Sequence, residues 1–119
     1  MASRSIDALE QSVKARAIAF VRACADRGLS DVLIYCTLRT LDEQAALYAS
    51  GRTMPGRVMT NARPGESLHN PDTTGLARAF DAVPLLGGKP LWDDIDAIYR
   101  MGQAGESVGL VWAGRWRGS

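Results

Sequence analysis

The sequence predicts an α+β fold in a single small domain spanning residues 1–119. Three observations carry that prediction. Helical and strand patterns follow one another in mixed order, there is little sign of regular βαβ units, and 119 residues hold one core with no linker or repeat. The elements follow in order. Ile6, Leu9, Val13, Ala17, Phe20 and Cys24 are spaced 3, 4, 4, 3 and 4, which averages to the 3.6-residue period of an amphipathic helix. Ser5 is placed to cap its start, and Gly28 to stop it with a left-handed residue. Val32-Leu33-Ile34-Tyr35-Cys36 reads as a strand buried on both faces. Thr40 and Glu43 have capping-box spacing and open a second helix, with Leu41, Ala45 and Tyr48 on its inner side and Gly51 at its end.

From Arg52 to Glu66 there is no periodicity. Pro55, Gly56, Pro64 and Gly65 punctuate a loop of 15 residues, and structureless loops of that length in compact domains are usually functional. Ala77 to Val83 reads as a second strand, with Ala77, Ala79, Asp81 and Val83 on one face. Leu86 to Pro90 is a turn. Asp93 and Asp94 start a third helix, where acids suit the positive end of the dipole. Its inner stripe is Ile95, Ile98, Met101, Gly105 and Val108, and Gly109 stops it. Leu110-Val111-Trp112 begins a last strand. Trp112 and Trp116 straddle a glycine-containing turn and read as packing residues.

Composition excludes several function classes. Apolar residues make up 46% and charged residues 23%, which is ordinary globular chemistry. Fourteen basic against thirteen acidic side chains leave +1, a balance with no general field for nucleic acid or an anionic membrane. The longest apolar run, Val32 to Cys36, is far too short to span a bilayer, so no membrane insertion is expected. The first residues lack the apolar stretch of a secretory signal, so the expected location is the cytoplasm. Cys24 and Cys36 read as buried free thiols rather than a pair.

The chemistry gathers around His69, the only histidine. It follows the long loop, beside Ser67. Twelve residues later Asp81 sits inside an apolar strand, where a carboxylate is costly to bury unless it is paired or binds a metal. Imidazole nitrogen and carboxylate oxygen are good zinc ligands, but two ligands do not make a site, since hydrolytic zinc takes three. Arg39 is either a surface arginine beside a helix cap or a planar cation aimed at a substrate carbonyl or carboxylate, with Gln44 nearby on the helix. Glu43 has a sufficient job in the cap. Arg52, Arg57 and Arg63 suit a solvated loop or an anionic peptide.

Leu38-Arg39-Thr40 with Glu43-Gln44 comes first, then Leu47-Tyr48-Ala49, Gly51-Arg52-Thr53, Pro55-Gly56 and Thr60-Asn61-Ala62. Pro64-Gly65, Ser67, His69-Asn70 and Asp81 follow. This series resembles the phage endolysins of the D-Ala-D-Ala carboxypeptidase superfamily, of the L-alanyl-D-glutamate endopeptidase type. The resemblance runs from about Ile34 to Trp116. It implies a short antiparallel sheet packed with three main helices. It implies a zinc peptidase acting on the peptidoglycan stem peptide as a monomer, released from the host cytoplasm onto the cell wall. It assigns the metal to His69 and Asp81, a substrate carbonyl to Arg39, and substrate-side positions to Gln44 and Ser67.

Two departures accompany the resemblance. The Asn70 to Leu76 segment carries about five residues more than the family's motif, which makes Asp72 an alternative ligand. The family's acid-x-x-His, which supplies the base and the third ligand, would lie beyond Ser119. The chain is therefore expected to be a C-terminally shortened form, with an incomplete zinc site and inactive by itself. The alternatives are a D,D-carboxypeptidase on the same fold, an inactive wall-peptide-binding remnant, and a plain structural domain.

Overall fold

A computed structural model describes residues 2–112 and the backbone of 116–118. The elements are α1 (Gln11–Asp26), β1 (Val32–Cys36), α2 (Leu41–Ala49), β2 (Ala79–Leu86), β3 (Lys89–Pro90), α3 (Ile95–Ser107), β4 (Leu110–Trp112) and β5 (Trp116–Gly118). The strands β1, β2, β5 and β4 lie side by side in that order. Every pairing is antiparallel, and β3 joins the far end of β2. This is the expected α+β domain, three helices with a short antiparallel sheet. Among the described residues no helix is long and apolar enough to cross a membrane.

One core joins α1, α3 and the sheet. It is built from Val13, Ala17, Phe20 and Cys24 of α1, Ala97, Met101 and Ala104 of α3, Phe80 and Ala82 of β2, and Leu110 of β4. Phe20 and Phe80 meet edge to face with centroids 5.3 Å apart, an arrangement that aligns the positive edge of one ring with the negative face of the other. Both cysteines are buried free thiols, as expected.

The first helix does not start at Ile6. A 3-10 turn, Ile6–Ala8, is capped by Ser5, and the chain is extended at Leu9 before α1 begins. Pairing with a distant segment causes the break: the Glu10 N–H donates to the Ala77 carbonyl at 2.7 Å, and the Ala77 N–H to the Ala8 carbonyl at 2.9 Å. Glu10 then caps α1, its carboxylate accepting from the Ser12 and Val13 N–H groups. Leu9 still reaches the core. At the other end Leu29 N–H bonds Cys24 O and Gly28 N–H bonds Ala25 O, the two-bond stop that requires the positive φ of Gly28, +82°.

Other expected faces shift. β1 is an edge strand of which only Cys36 is fully buried. The doubly buried strand is β2, flanked by β1 and β5; it runs Ala79–Leu86, two residues later at its start than the pattern suggested. Part of the expected Leu86 to Pro90 turn is the strand β3, joined to β2 through Gly87 and Gly88, both at positive φ as such hairpins demand. On α2 the expected inner residues Leu41 and Ala45 are exposed, and the one fully buried residue is Gln44. This helix faces the polar site rather than the apolar core.

On α3, Ile95 is 83% exposed, and the buried face is Ala97, Met101, Gly102, Ala104 and Gly105. Close approach to Trp112 selects the glycine at 102: a Cβ there would lie 2.7 Å from the indole. Gly102→Ala is therefore expected to destabilise the domain by about 1–3 kcal/mol, although alanine is the better helix former. A lower denaturant midpoint with an unchanged slope would show it. Trp112 is thus the packing residue expected; the side chain of Trp116 lies outside the described residues.

Candidate metal centre

Two stretches distant in sequence are stitched together to make the site. Arg39 N–H donates to the His69 carbonyl at 2.8 Å, and Arg78 N–H to the Leu68 carbonyl at 2.9 Å. The histidine backbone is thereby held between the end of β1 and the start of β2. Asn70, fully buried, closes the seam. Its Oδ1 accepts from Gly65 N–H (3.0 Å) and Ser67 N–H (3.3 Å), and its Nδ2 donates to the Arg39 carbonyl (2.9 Å). Ser67 is buried too, and its hydroxyl oxygen accepts from His69 N–H at 3.1 Å.

The His69 side chain is 0% exposed. Its Nδ1 lies 2.8 Å from the Thr37 carbonyl. A carbonyl can only accept, so Nδ1 carries the hydrogen and, in the neutral ring, Nε2 carries the lone pair. Thr37 is itself pinned, its hydroxyl donating to the carbonyls of Ser3 and Ser5. Nε2 lies 3.3 Å from Asp81 Oδ2, yet it is the one buried side-chain nitrogen or oxygen among the described residues that makes no hydrogen bond. A lone pair facing a carboxylate oxygen is repulsive unless a cation sits between them. Two ligands bound about 2 Å from a tetrahedral ion lie about 3.3 Å apart, so the pair fits a shared metal such as zinc.

Without metal, a proton takes that place. Burial pulls the His69 pKa down, but the hydrogen bond and charge of Asp81, with Cys36 and Thr37, outweigh it and raise the pKa from its ordinary 6.5 to about 9. The folded value lies above the unfolded one. This contribution is therefore fully present below pH 6.5 and lost as pH rises through about 9. The denaturant midpoint of the chelator-treated chain is expected to fall over that window, and a rise would contradict the pairing.

The sequence pattern did not mark Cys36 as a site residue. Its sulfur, with donor atoms of His69 and Asp81, forms a group within 4.8 Å of one another. A β-bulge puts it there. Ile34 pairs with Ala82 but Cys36 with Asp81, so Tyr35 is an extra residue in β1. In regular register Cys36 would lie opposite Phe80, facing the core; the bulge moves it to the face of Asp81. Its Sγ lies 3.5 Å from Nδ1 of His69, the nitrogen already committed to Thr37. The two donors that face a common point are thus Nε2 and the Asp81 carboxylate. No signal in the sequence beyond residue type points to Cys36.

Arg39 lines a cleft of about 480 Å³ together with Tyr35, Cys36, Glu43, Leu47 and Asp81. Its Nη1 donates to Gln44 Oε1 at 2.9 Å, and its Nη2 lies 3.6 Å from Cys36 Sγ. Gln44 has no exposure; its Nε2 donates to the Ala62 carbonyl of the long loop at 2.7 Å. It reaches the site through Arg39. Glu43 completes the expected capping box with Thr40. Asp72, the alternative ligand, lies outside the cluster. Its Oδ1 accepts from Thr74 N–H, the Thr74 hydroxyl and Leu76 N–H, which folds the additional loop residues into a turn. A larger groove of about 930 Å³ runs along α1 and past Val108, and none of the candidate residues lines it.

No protein-family model matches the chain. The chain is 37% identical, over 92% of its own length, to the peptidoglycan L-alanyl-D-glutamate endopeptidase CwlK of Bacillus subtilis (strain 168), of which the match covers 67%. The match takes in nearly the whole chain, including the two stitched stretches that converge on His69 and Asp81. The chain belongs to the same D-Ala-D-Ala carboxypeptidase-like family of peptidases as CwlK.

Proposed function

We propose that this domain is the zinc-binding part of a peptidoglycan endopeptidase that hydrolyses the L-alanyl–D-glutamate bond of the stem peptide. The observation that carries the reading is the buried Nε2 of His69, without a hydrogen bond and 3.3 Å from the Asp81 carboxylate, beside a cleft that Arg39 lines. Similarity to CwlK supports the bond and the wall substrate. His69 and Asp81 would hold the ion, with the Cys36 sulfur close by on the Nδ1 side of the ring. Zinc supplies Lewis-acid polarisation of a carbonyl and lowers the pKa of water.

The chain's own residues do the rest. Thr37 fixes the tautomer and plane of the His69 ring, the outer hydrogen bond that metal-bound histidines need. Gln44 and the Cys36 sulfur each engage one end of the Arg39 guanidinium, which has five N–H donors, and this leaves the others for a carbonyl oxygen gaining charge. The apolar parts of Tyr35, Ala46 and Leu47 line the cleft beside that point. The location proposed for this activity is the cell wall, reached by release from the cytoplasm, as in a phage lysis system.

The test is mass spectrometry of muropeptides digested by the zinc-loaded chain, alone and extended by the acid-x-x-His segment that the resemblance places beyond Ser119. A new amino-terminal D-glutamate is expected, and a chelator should abolish it. Arg39→Ala is expected to lower kcat by about 10²–10³ with little change in KM, as removal of a donor to a developing oxyanion does. Wild-type turnover in that variant, or cleavage elsewhere in the stem, would overturn the reading.

A further inference from the structure

Trp92 is 54% exposed, although tryptophan is among the side chains with most to gain from burial. Its backbone is fixed. The preceding Leu91 packs against the core, and its N–H donates to the Pro84 carbonyl on β2 at 2.9 Å. Its ring is fixed as well: it meets Tyr35 edge to face, with centroids 5.3 Å apart and planes at 77°. Tyr35 is the extra residue of the β1 bulge and lines the same cleft as Arg39, Cys36 and Asp81. An aromatic surface of defined orientation therefore stands one ring beyond the wall of the catalytic cleft.

We propose that Trp92, braced by Tyr35, is a sugar-stacking subsite that takes the muramic acid ring at the head of the stem peptide. This rests on the function proposed above. L-alanine is the first residue of the stem, and its amino group is joined through a lactyl ether to the pyranose. A substrate with the L-alanyl–D-glutamate bond at His69 and Asp81 therefore carries its sugar only a short bridge away, at the rim of the cleft. The face of a pyranose ring is lined with slightly positive C–H groups, and the face of an indole carries the negative side of its quadrupole. The cleft itself, about 480 Å³ and lined by Ala46, Leu47 and Tyr35, has room for a peptide segment rather than for a glycan. The sugar would lie outside it, on the exposed ring.

The experiment is a nuclear magnetic resonance titration of residues 1–119, following the Trp92 indole N–H, assigned by its loss in Trp92→Phe. The probes are N-acetylmuramyl-L-alanyl-D-isoglutamine, L-alanyl-D-isoglutamine and N-acetylmuramic acid. The muramyl dipeptide is expected to bind about tenfold more tightly than the dipeptide, the gain that aromatic stacking gives, and to shift the Trp92 signal. Trp92→Ala should erase the difference and Trp92→Phe keep part of it, so the phenylalanine variant still tests the subsite if the alanine variant fails to fold. Equal affinities for the two dipeptides, a preference untouched by Trp92→Ala, or no binding of any probe would overturn the subsite. Cleavage of free stem peptides with no sugar preference would overturn the subsite and leave the peptidase reading intact. Tight binding of N-acetylmuramic acid alone, without cleavage of muropeptides by the chain extended with an acid-x-x-His segment, would leave the subsite and overturn the peptidase.

Discussion

Replacing His69 with alanine is expected to lower zinc affinity by at least about a hundredfold and to abolish hydrolysis of wall peptides with it. Loss of an outer-shell partner alone commonly costs about 10–100-fold in metal affinity, and the lone pair of His69 Nε2, 3.3 Å from the Asp81 carboxylate, would bind the ion directly. Competition with a chromophoric chelator measures it. Asp81→Asn is the companion variant, because it keeps the volume and removes the charge. It should also lose the metal. In the metal-free chain it should let His69 titrate below about 9, since Asp81 is the principal group holding that value up. Cys36→Ser is expected to cost less than tenfold, because its sulfur lies at Nδ1 and not at the nitrogen that faces Asp81. Full zinc affinity in His69→Ala would remove the site from this cluster.

The second large effect is expected at Asn70, which touches no metal-facing atom. Asn70→Ala leaves the N–H groups of Gly65 and Ser67 and the carbonyl of Arg39 without their partner. Each stranded buried group costs about 1–3 kcal/mol, so a total of about 3 kcal/mol allows for partial access of water to the outer ones. That is a large share of the roughly 5–15 kcal/mol a domain of this size has. Asn70→Asp tells the two halves of the side chain apart. It keeps the acceptor for the loop and loses the donor to Arg39, so the fold should recover more than the activity. Calorimetry and muropeptide turnover, measured together on both variants, check this.

Local signals carried most of what was legible in the sequence. The Thr40–Glu43 box, the acidic start of α3 at Asp94 and the stops at Gly28 and Gly109 depend on neighbours a few residues away, and each stands where the sequence placed it. The nearness of His69 and Asp81 was legible because a carboxylate within an apolar strand demands a partner. Three features were not legible. The break at Leu9 depends on Ala77, a partner remote in sequence. The inward face of α2 is set by Arg39 and Ala62, which draw in the amide of Gln44 and leave Leu41 outside. Cys36 needed the register of β1 on β2, since a bulge of one residue reverses which face a side chain takes.

The turn that Asp72 organises has a consequence for anyone wishing to build on this scaffold. The chain between His69 and Asp81 is held at two anchors: the Asn70 hub on one side, and on the other the Arg78–Leu68 bond just before β2 begins. Pro71, Thr73, Thr74 and Gly75 between them are exposed. Extending a tethered loop is entropically cheap, about 0.6 kcal/mol for each doubling of its length. The segment from 71 to 75 is thus a natural splice point, where a reporter or a second domain could be grafted a few residues from the candidate metal centre while His69 and Asp81 keep their places.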